Sequence, residues 1–324
     1  MYNQIETILA QYDLEINEVT KGRGVYLCNT NQGKKLLTPF SGSQEKGKFL
    51  KEYLHGLYQQ GFSVEQIMEN QKQEVVTVDE STGEHFILKD YIDGTEMNAG
   101  RLTEMEEAVR LLGRYHRTAK KVDITIPNRI KENAEDVVEI RRRHYRELLK
   151  VKNYIRNRKK KSEFEQIYIQ NFYKIFATAE KSIACLEQQS QPICEICHGD
   201  YNQHNIVWSG SKWHIVHFEN FIYSWEIIDL ANFLRKMLEK NNWDISLGVH
   251  LMKAYHQECP MKKEMFFQLY GLLLFPEKFW KITNHYMNSR KSWISERDID
   301  KLKKVIEQET QRLKFMENLF SILQ

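Results

Sequence analysis

The sequence predicts an α+β chain in two parts, a small sheet with helices to about residue 93 and a largely helical part after it. Three observations carry this prediction. Short apolar runs broken by Gly and Asn crowd the opening segment. Helical spacing takes over after Asp93-Gly94. A loop rich in His, Asp and Asn, from His198 to Glu219, interrupts the helices between two strand-like segments.

The elements follow in order. Residues 3–11 fit a short opening helix. Strand-like pieces EINEVT, GVYLCNT and KKLLTPF come next, punctuated by Lys21-Gly-Arg-Gly24 and Asn29-Thr-Asn-Gln-Gly33 as hairpin turns. Residues 44–60 place Phe49, Tyr53, Leu54, Leu57 and Tyr58 at helical spacing, and Gly61 ends the pattern. Two further strands, EVVTVDE and EHFILKDYI, flank the turn Ser81-Thr-Gly83. A helix over 103–119 opens with Thr103 and Glu106 at capping-box spacing. Long helices are expected over 134–161 and 163–189, then over 226–241, 244–257, 261–275 and 296–322. No internal repeat or low-complexity tract is present.

Composition narrows the function classes. The 324 residues are 41% hydrophobic and 28% charged, which suits a soluble protein with a sizeable core. A net charge of +3 points to no polyanionic partner. The N-terminus lacks a basic-then-apolar leader, and the longest apolar run, Tyr270-GLLLF-Pro276, is far short of the roughly 20 residues that span a bilayer. Five cysteines, an odd number without disulfide-like spacing, fit synthesis in a reducing compartment. The chain is therefore expected to be made in the cytoplasm and to have no membrane partner.

The chemistry concentrates in Cys197-His-Gly-Asp-Tyr-Asn-Gln-His-Asn205. His198, Asp200 and Asn205 have the H-x-D-x4-N spacing of a phosphotransfer loop. In that chemistry the Asp accepts the proton of a substrate hydroxyl, and the Asn on the same tight loop holds Mg²⁺. Gly199 stands between His198 and Asp200 in the motif loop. Asp229, in Ile227-Ile-Asp-Leu-Ala231, stands about a helix-start later; in kinase-like folds an Asp there caps that helix and fixes the loop backbone.

The order resembles the aminoglycoside phosphotransferase and choline kinase group, and within it the CotS-type spore coat proteins. The closer likeness rests on Leu37-Thr-Pro-Phe40, Lys89-Asp-Tyr-Ile-Asp-Gly-Thr-Glu96, the 197–205 loop, Phe233-Leu-Arg-Lys-Met237 and Pro276-Glu-Lys-Phe-Trp-Lys281. It covers nearly the whole chain. It implies a two-lobed kinase-like fold, an N-lobe over 1–93 and a helical C-lobe over 94–324, and a place in the spore coat after synthesis in the mother cell. Other spore coat proteins would be the partners.

Two departures from the phosphotransferase pattern bear on activity. The metal-binding Asp expected at the D-F-x triplet is His217, in His217-Phe218-Glu219. A neutral His is a poor Mg²⁺ ligand, so Glu219 is the remaining carboxylate that could serve beside Asn205. The phosphate-binding Lys of the third strand falls on Leu36 or Leu37. Lys35 is two residues early and on one face with Leu37, and its pairing acid would be Glu52 or Glu45. Both glutamates read more readily as solvated helix charges. Lys21-Gly-Arg-Gly24 lacks a G-x-G-x-x-G pattern and reads as a plain turn. The expectation is a pseudokinase with a structural or recognition role and at most weak ATP and Mg²⁺ binding. The alternative is an active phosphotransferase acting on a hydroxyl group, with Asp200 as base.

Three other features take plainer readings. Cys194-Glu-Ile-Cys197-His198 matches a haem-attachment pattern, but attachment needs export and His198 already belongs to the loop, so two strand thiols are expected. Zinc would need a second pair, and none is near. The basic run Arg141–Lys161 reads as one solvated face of a hairpin helix, with Leu148, Leu149, Val151, Tyr154 and Ile155 as its buried stripe, rather than as a nucleic-acid site. The six Trp residues read as core and cleft walls.

Overall fold

The computed structural model describes residues 2–22, 24–189, 193–288 and 296–323. Arg23 of the first turn and Trp293 lie outside the described residues. The chain forms two compact units: residues 1–134 with 198–223, and residues 135–197 with 224–324. The change of regime at 93/94 therefore does not mark the spatial grouping. The loop that follows residue 197 belongs with the sheet.

The first unit opens with α1 (Tyr2–Leu9) and a three-strand meander, β1 (Ile16–Lys21), β2 (Tyr26–Thr30) and β3 (Gly33–Pro39). Then come α2 (Gln44–Gln59), β4 (Ile67–Met68), β5 (Thr77–Val78) and β6 (His85–Asp90). The sheet order is β1-β2-β3-β6-β4, with β5 also on β6. One face carries Leu37 and Leu88, which share a buried cluster with Ile5, Ile8 and Tyr12 of the N-terminal segment. Alternation sends Leu36 and Lys89 to the opposite face.

α2 starts at Ser43, whose side chain accepts from the Lys46 N–H. Its buried residues are Phe49, Leu50, Tyr53, Leu54 and Leu57. Tyr58 is exposed, so Leu50 takes the place that the spacing gave to Tyr58. The expected strand over 74–80 shrinks to two residues. Asn70 Oδ1 accepts from the Lys72 and Glu74 N–H groups, and the Gln44 side chain bonds both the N–H and the carbonyl of Val76. Side chains thus satisfy backbone groups that a ladder would otherwise take.

β7 (Thr95–Glu96) leads to α3 (Leu102–Ala119) and α4 (Asn128–Glu132). α3 begins a residue earlier than the Thr103 signal. Glu104 accepts from the Asn98 N–H at 2.7 Å, while Glu106 pairs with Arg110. The second unit receives α5 (Val137–Arg156), capped by Asp136, and α6 (Glu163–Glu187), which has a capping box between Ser162 and Glu165. Between them lies Arg158-Lys-Lys-Lys161, four like charges that a continuous helix would crowd into about one turn, with Arg158 and Lys161 as i, i+3 neighbours. The two helices pack through Leu148, Val151, Ile155, Phe164, Tyr168 and Phe172.

The chain then runs through β8 (Cys194–Cys197), β9 (Ile206–Ser209), β10 (Lys212–Ile215) and β11 (Ile222–Trp225). Strands β10, β9 and β7 form a small sheet in the first unit. Gly94 lies against it so closely that a Cβ there would sit 2.3 Å from the Trp208 carbonyl oxygen. The second unit closes with α7 (Ile227–Lys240), α8 (Ile245–Glu258), α9 (Lys263–Leu274), α10 (Glu277–Asn288) and α11 (Glu296–Leu323). Asp229 is fully buried in the first turn of α7. No described helix is long and apolar enough to cross a membrane.

Candidate active site

The motif loop is built on hydrogen bonds that leave its carboxylate at a turn. His198 is buried and its ring is fixed at both nitrogens. Nε2 donates to the Val216 carbonyl at 2.9 Å, and Nδ1 accepts from the Asp200 N–H at 3.2 Å. Gly199 has φ +81°, and a Cβ there would lie 2.3 Å from the Asn220 carbonyl oxygen, so only glycine fits. Tyr201 anchors the loop by donating to the Ala108 carbonyl of α3 at 2.7 Å. Asn205 donates through Nδ2 to the Asp200 carbonyl at 2.8 Å, with Asp200 Oδ2 at 3.4 Å. Asp200 and Asn205 are therefore neighbours, as the spacing implies.

The segment His217-Phe218-Glu219 lies in the same unit. His217 sits in the left-handed region at φ 68°, ψ 47°, a strained conformation for a residue with a Cβ. Phe218 is buried edge-on against His198 and Tyr115, with centroids at 4.7 and 5.5 Å.

The side chain that organises this face is Lys89, whose importance does not emerge from the spacing argument. It has no exposed surface. Its Nζ lies 2.9 Å from Glu65 Oε1 and 2.5 Å from Glu219 Oε2. Glu65 Oε1 also accepts from the His217 and Phe218 N–H groups at 2.9 and 3.1 Å. Glu219 Oε1 pairs with His217 Nδ1 at 2.9 Å. Both oxygens of Glu219 are thus engaged. His217 Nδ1 lies 3.4 Å from the ammonium; with the Nδ1–H donated to the Glu219 carboxylate, that approach is a contact and not a hydrogen bond.

The electrostatics follow from burial. Desolvation alone would push the Lys89 ammonium towards neutrality, but Glu65 and Glu219 outweigh it and hold its pKa above the ordinary lysine value. Burial would likewise raise Glu219, but Lys89 and then His217 hold its carboxyl well below the usual range. The cluster is a charged knot with few open valences.

The lysine and glutamate proposed for nucleotide contact lie elsewhere. Lys35 pairs with Asp90 directly across the sheet at 2.7 Å, on the face of Leu37 and Leu88. Glu52 and Glu45 are exposed on α2. The buried lysine–glutamate pair of this unit is instead Lys89–Glu65. Leu36, where a third-strand lysine is expected, is the cross-strand partner of Lys89. Lys89 has the right face but stands on the neighbouring strand, whereas Lys35 has the right strand but, one residue from Leu36, the opposite face. A signal for it does exist. In His85-Phe-Ile-Leu-Lys-Asp90 the apolar residues run without alternation, the mark of a strand buried on both faces. A lysine inside such a run requires a buried counter-charge.

These residues match a known family over almost their full length. A family model described as "Spore coat putative kinase YutH" matches residues 5–319. The chain belongs to this spore coat kinase family. A search of curated proteins by sequence returns no match. Among solved structures, an aminoglycoside phosphotransferase from Alicyclobacillus acidocaldarius superposes with a TM-score of 0.81 at 16% identity, covering 98% of this chain and 96% of that one. The amicoumacin kinase hAmiN, solved with AMP-PNP, Ca²⁺ and Ami, gives 0.66 at 14% identity, with coverage of 97% and 93%. A choline/ethanolamine kinase family protein from Mesorhizobium loti gives 0.58 at 13%, with coverage of 97% and 98%. At these identities the likeness establishes the kinase-like fold.

A metal would call on Asn205 and Glu219, and the arrangement does not suit one. The carboxylate is neutralised by Lys89 and hydrogen-bonded by His217, while the Asn205 amide is turned to the Asp200 backbone. Among the described residues no cluster of three or more His, Cys, Asp or Glu side chains is set to hold a metal ion. Cys194 and Cys197 are not joined in a disulfide, and burial raises both their pKa values.

Proposed function

We propose that this member of the spore coat kinase family is a pseudokinase, a structural or recognition component of the spore coat that is made in the mother cell. The observation that carries the reading is the Lys89–Glu65–Glu219 knot. An ammonium with no exposed surface holds the carboxylate that a metal–nucleotide complex would need. Opening it would strand charges in a low-dielectric interior, which costs several kcal/mol per ion. Asp200 remains on its loop, without a second carboxylate free to share a cation with Asn205. Family membership supports the coat as location, and other coat proteins are the partners this reading proposes.

A second reading draws on one specific observation. Lys89 stands across from Leu36, so a lysine–glutamate pair and a nearby carboxylate are all present, contributed by other positions. Rearranged, this set could grip a nucleotide weakly, with Asp200 as base towards a hydroxyl substrate. Phosphate release from ATP with Mg²⁺ separates the two readings. The pseudokinase reading expects the same background rate for the wild type and Asp200→Ala. Turnover that disappears in Asp200→Ala overturns it.

A further inference from the structure

Charge is divided unevenly along the fold. The second unit carries 29 Lys and Arg against 22 Asp and Glu, a net +7, while the first carries 18 against 22, a net −4. The basic surplus is focused on the α5–α6 hairpin. Lys152, Arg156 and Lys160 recur four residues apart, with Lys159 beside them. Among the described residues none of these four has an acidic partner, whereas neighbouring Arg158 is taken by Glu165 at 2.9 Å. On α5 the Lys152–Arg156 pair, four residues apart, is mutually repulsive, and Lys159 and Lys160 follow just past the helix end, so a bound anionic surface would relieve them. The patch also has an aromatic anchor. Tyr173 is 68% exposed, and the Lys152 ammonium lies 4.8 Å from its ring centre. An exposed Tyr is a residue type enriched at interface centres, where the basic side chains around it would form the charged rim.

The complement is on the same chain. In the first unit Asp13, Glu80 and Glu84 are exposed and, among the described residues, have no ion-pair partner. The segments that bear them are tied together, since the Tyr12 and Thr77 hydroxyls lie 2.8 Å apart. We propose that the basic–aromatic face of the hairpin docks on this acidic rim in a second copy of the chain. The two surfaces differ, so the contact is head-to-tail and can repeat into rings or open arrays. The inference rests on charge complementarity and holds whether or not the kinase-like centre is active.

Light scattering and sedimentation of the full chain test it. The wild type is expected to associate with rising concentration at low ionic strength and to dissociate as salt screens the contact. Neutralising either side, by Lys152→Gln/Arg156→Gln/Lys160→Gln or by Asp13→Asn/Glu80→Gln/Glu84→Gln, is expected to weaken association at least tenfold. Five of the six residues are exposed and Lys152 is half-buried, and unchanged circular dichroism and melting check the fold. Mixing the two variants is expected to give dimers and nothing larger, because each then supplies one intact half. A wild type that stays monomeric at low salt overturns the proposal, as does a basic-face variant that associates undiminished. Retention of a DNA duplex that is lost in the basic-face variant, with self-association unaffected, would assign the face to a polyanion and also overturn it.

Discussion

Replacing Lys89 by Met isolates the knot with little change in side-chain volume. Met fills the channel of the lysine stem but leaves Glu65 and Glu219 buried without their shared cation. Both are nearly inaccessible, at 2% and 8% exposure. Breaking a buried ion pair from one side costs about 3–5 kcal/mol. For a domain of 150–250 residues each kcal/mol moves the midpoint by about 2–4 °C, so melting should fall by roughly 6–20 °C. The loss should be coupled to its partners. In Lys89→Met/Glu65→Gln/Glu219→Gln no uncompensated charge is left, and most of the stability should return. Urea unfolding followed by circular dichroism, with the mutant cycle completed, measures this coupling. A cost for Lys89→Met below about 1 kcal/mol, the range of exposed pairs, would refute the reasoning. So would a triple variant no more stable than the single one.

Three further outcomes follow from the same geometry. Lys35→Ala should cost at most about 1 kcal/mol by urea unfolding, since its partner Asp90 is 44% exposed. Glu219 and Glu277 are both held below the ordinary carboxylate value of 4.5, Glu219 by Lys89 against its burial and Glu277 by Arg141 against its own. A depressed carboxyl contributes stability above its unfolded pKa and loses it on acidification. Unfolding free energy should therefore fall as pH drops below about 4.5, and Glu219→Gln should flatten that fall; a parallel profile would contradict the pairing. Gly199→Ala should displace the motif loop, because its Cβ meets the Asn220 carbonyl and its φ is left-handed. The strain alone is about 1–2 kcal/mol, read as a lowered melting point and faster amide exchange at 198–205.

Much of the fold is legible from local rules. Capping residues and apolar spacing place α2, α6 and α7 within a residue or two, because Ser43 and Ser162 act through their own neighbours. The strand over 74–80 is not legible, since Gln44, thirty-two residues away, takes the Val76 backbone out of the ladder. α10 also goes unannounced: Glu277 begins it directly after Pro276, leaving no loop signal before it. In the site, His198, Gly199, Asp200 and Asn205 come together because they share one short loop. Lys89, Glu65 and Glu219 are brought together by strand pairing and a turn, and no spacing within the sequence encodes that meeting. Lys35 draws attention by proximity to the expected position, but register puts it on the other face.

Titration calorimetry of the wild-type protein with ATP and excess Mg²⁺, at neutral pH and moderate salt, tests the central claim most directly. With the Lys89 ammonium locked between Glu65 and Glu219, no saturable heat is expected. Saturable binding with one nucleotide per chain, weakened by Lys89→Met, would contradict the account and place Lys89 on the phosphates.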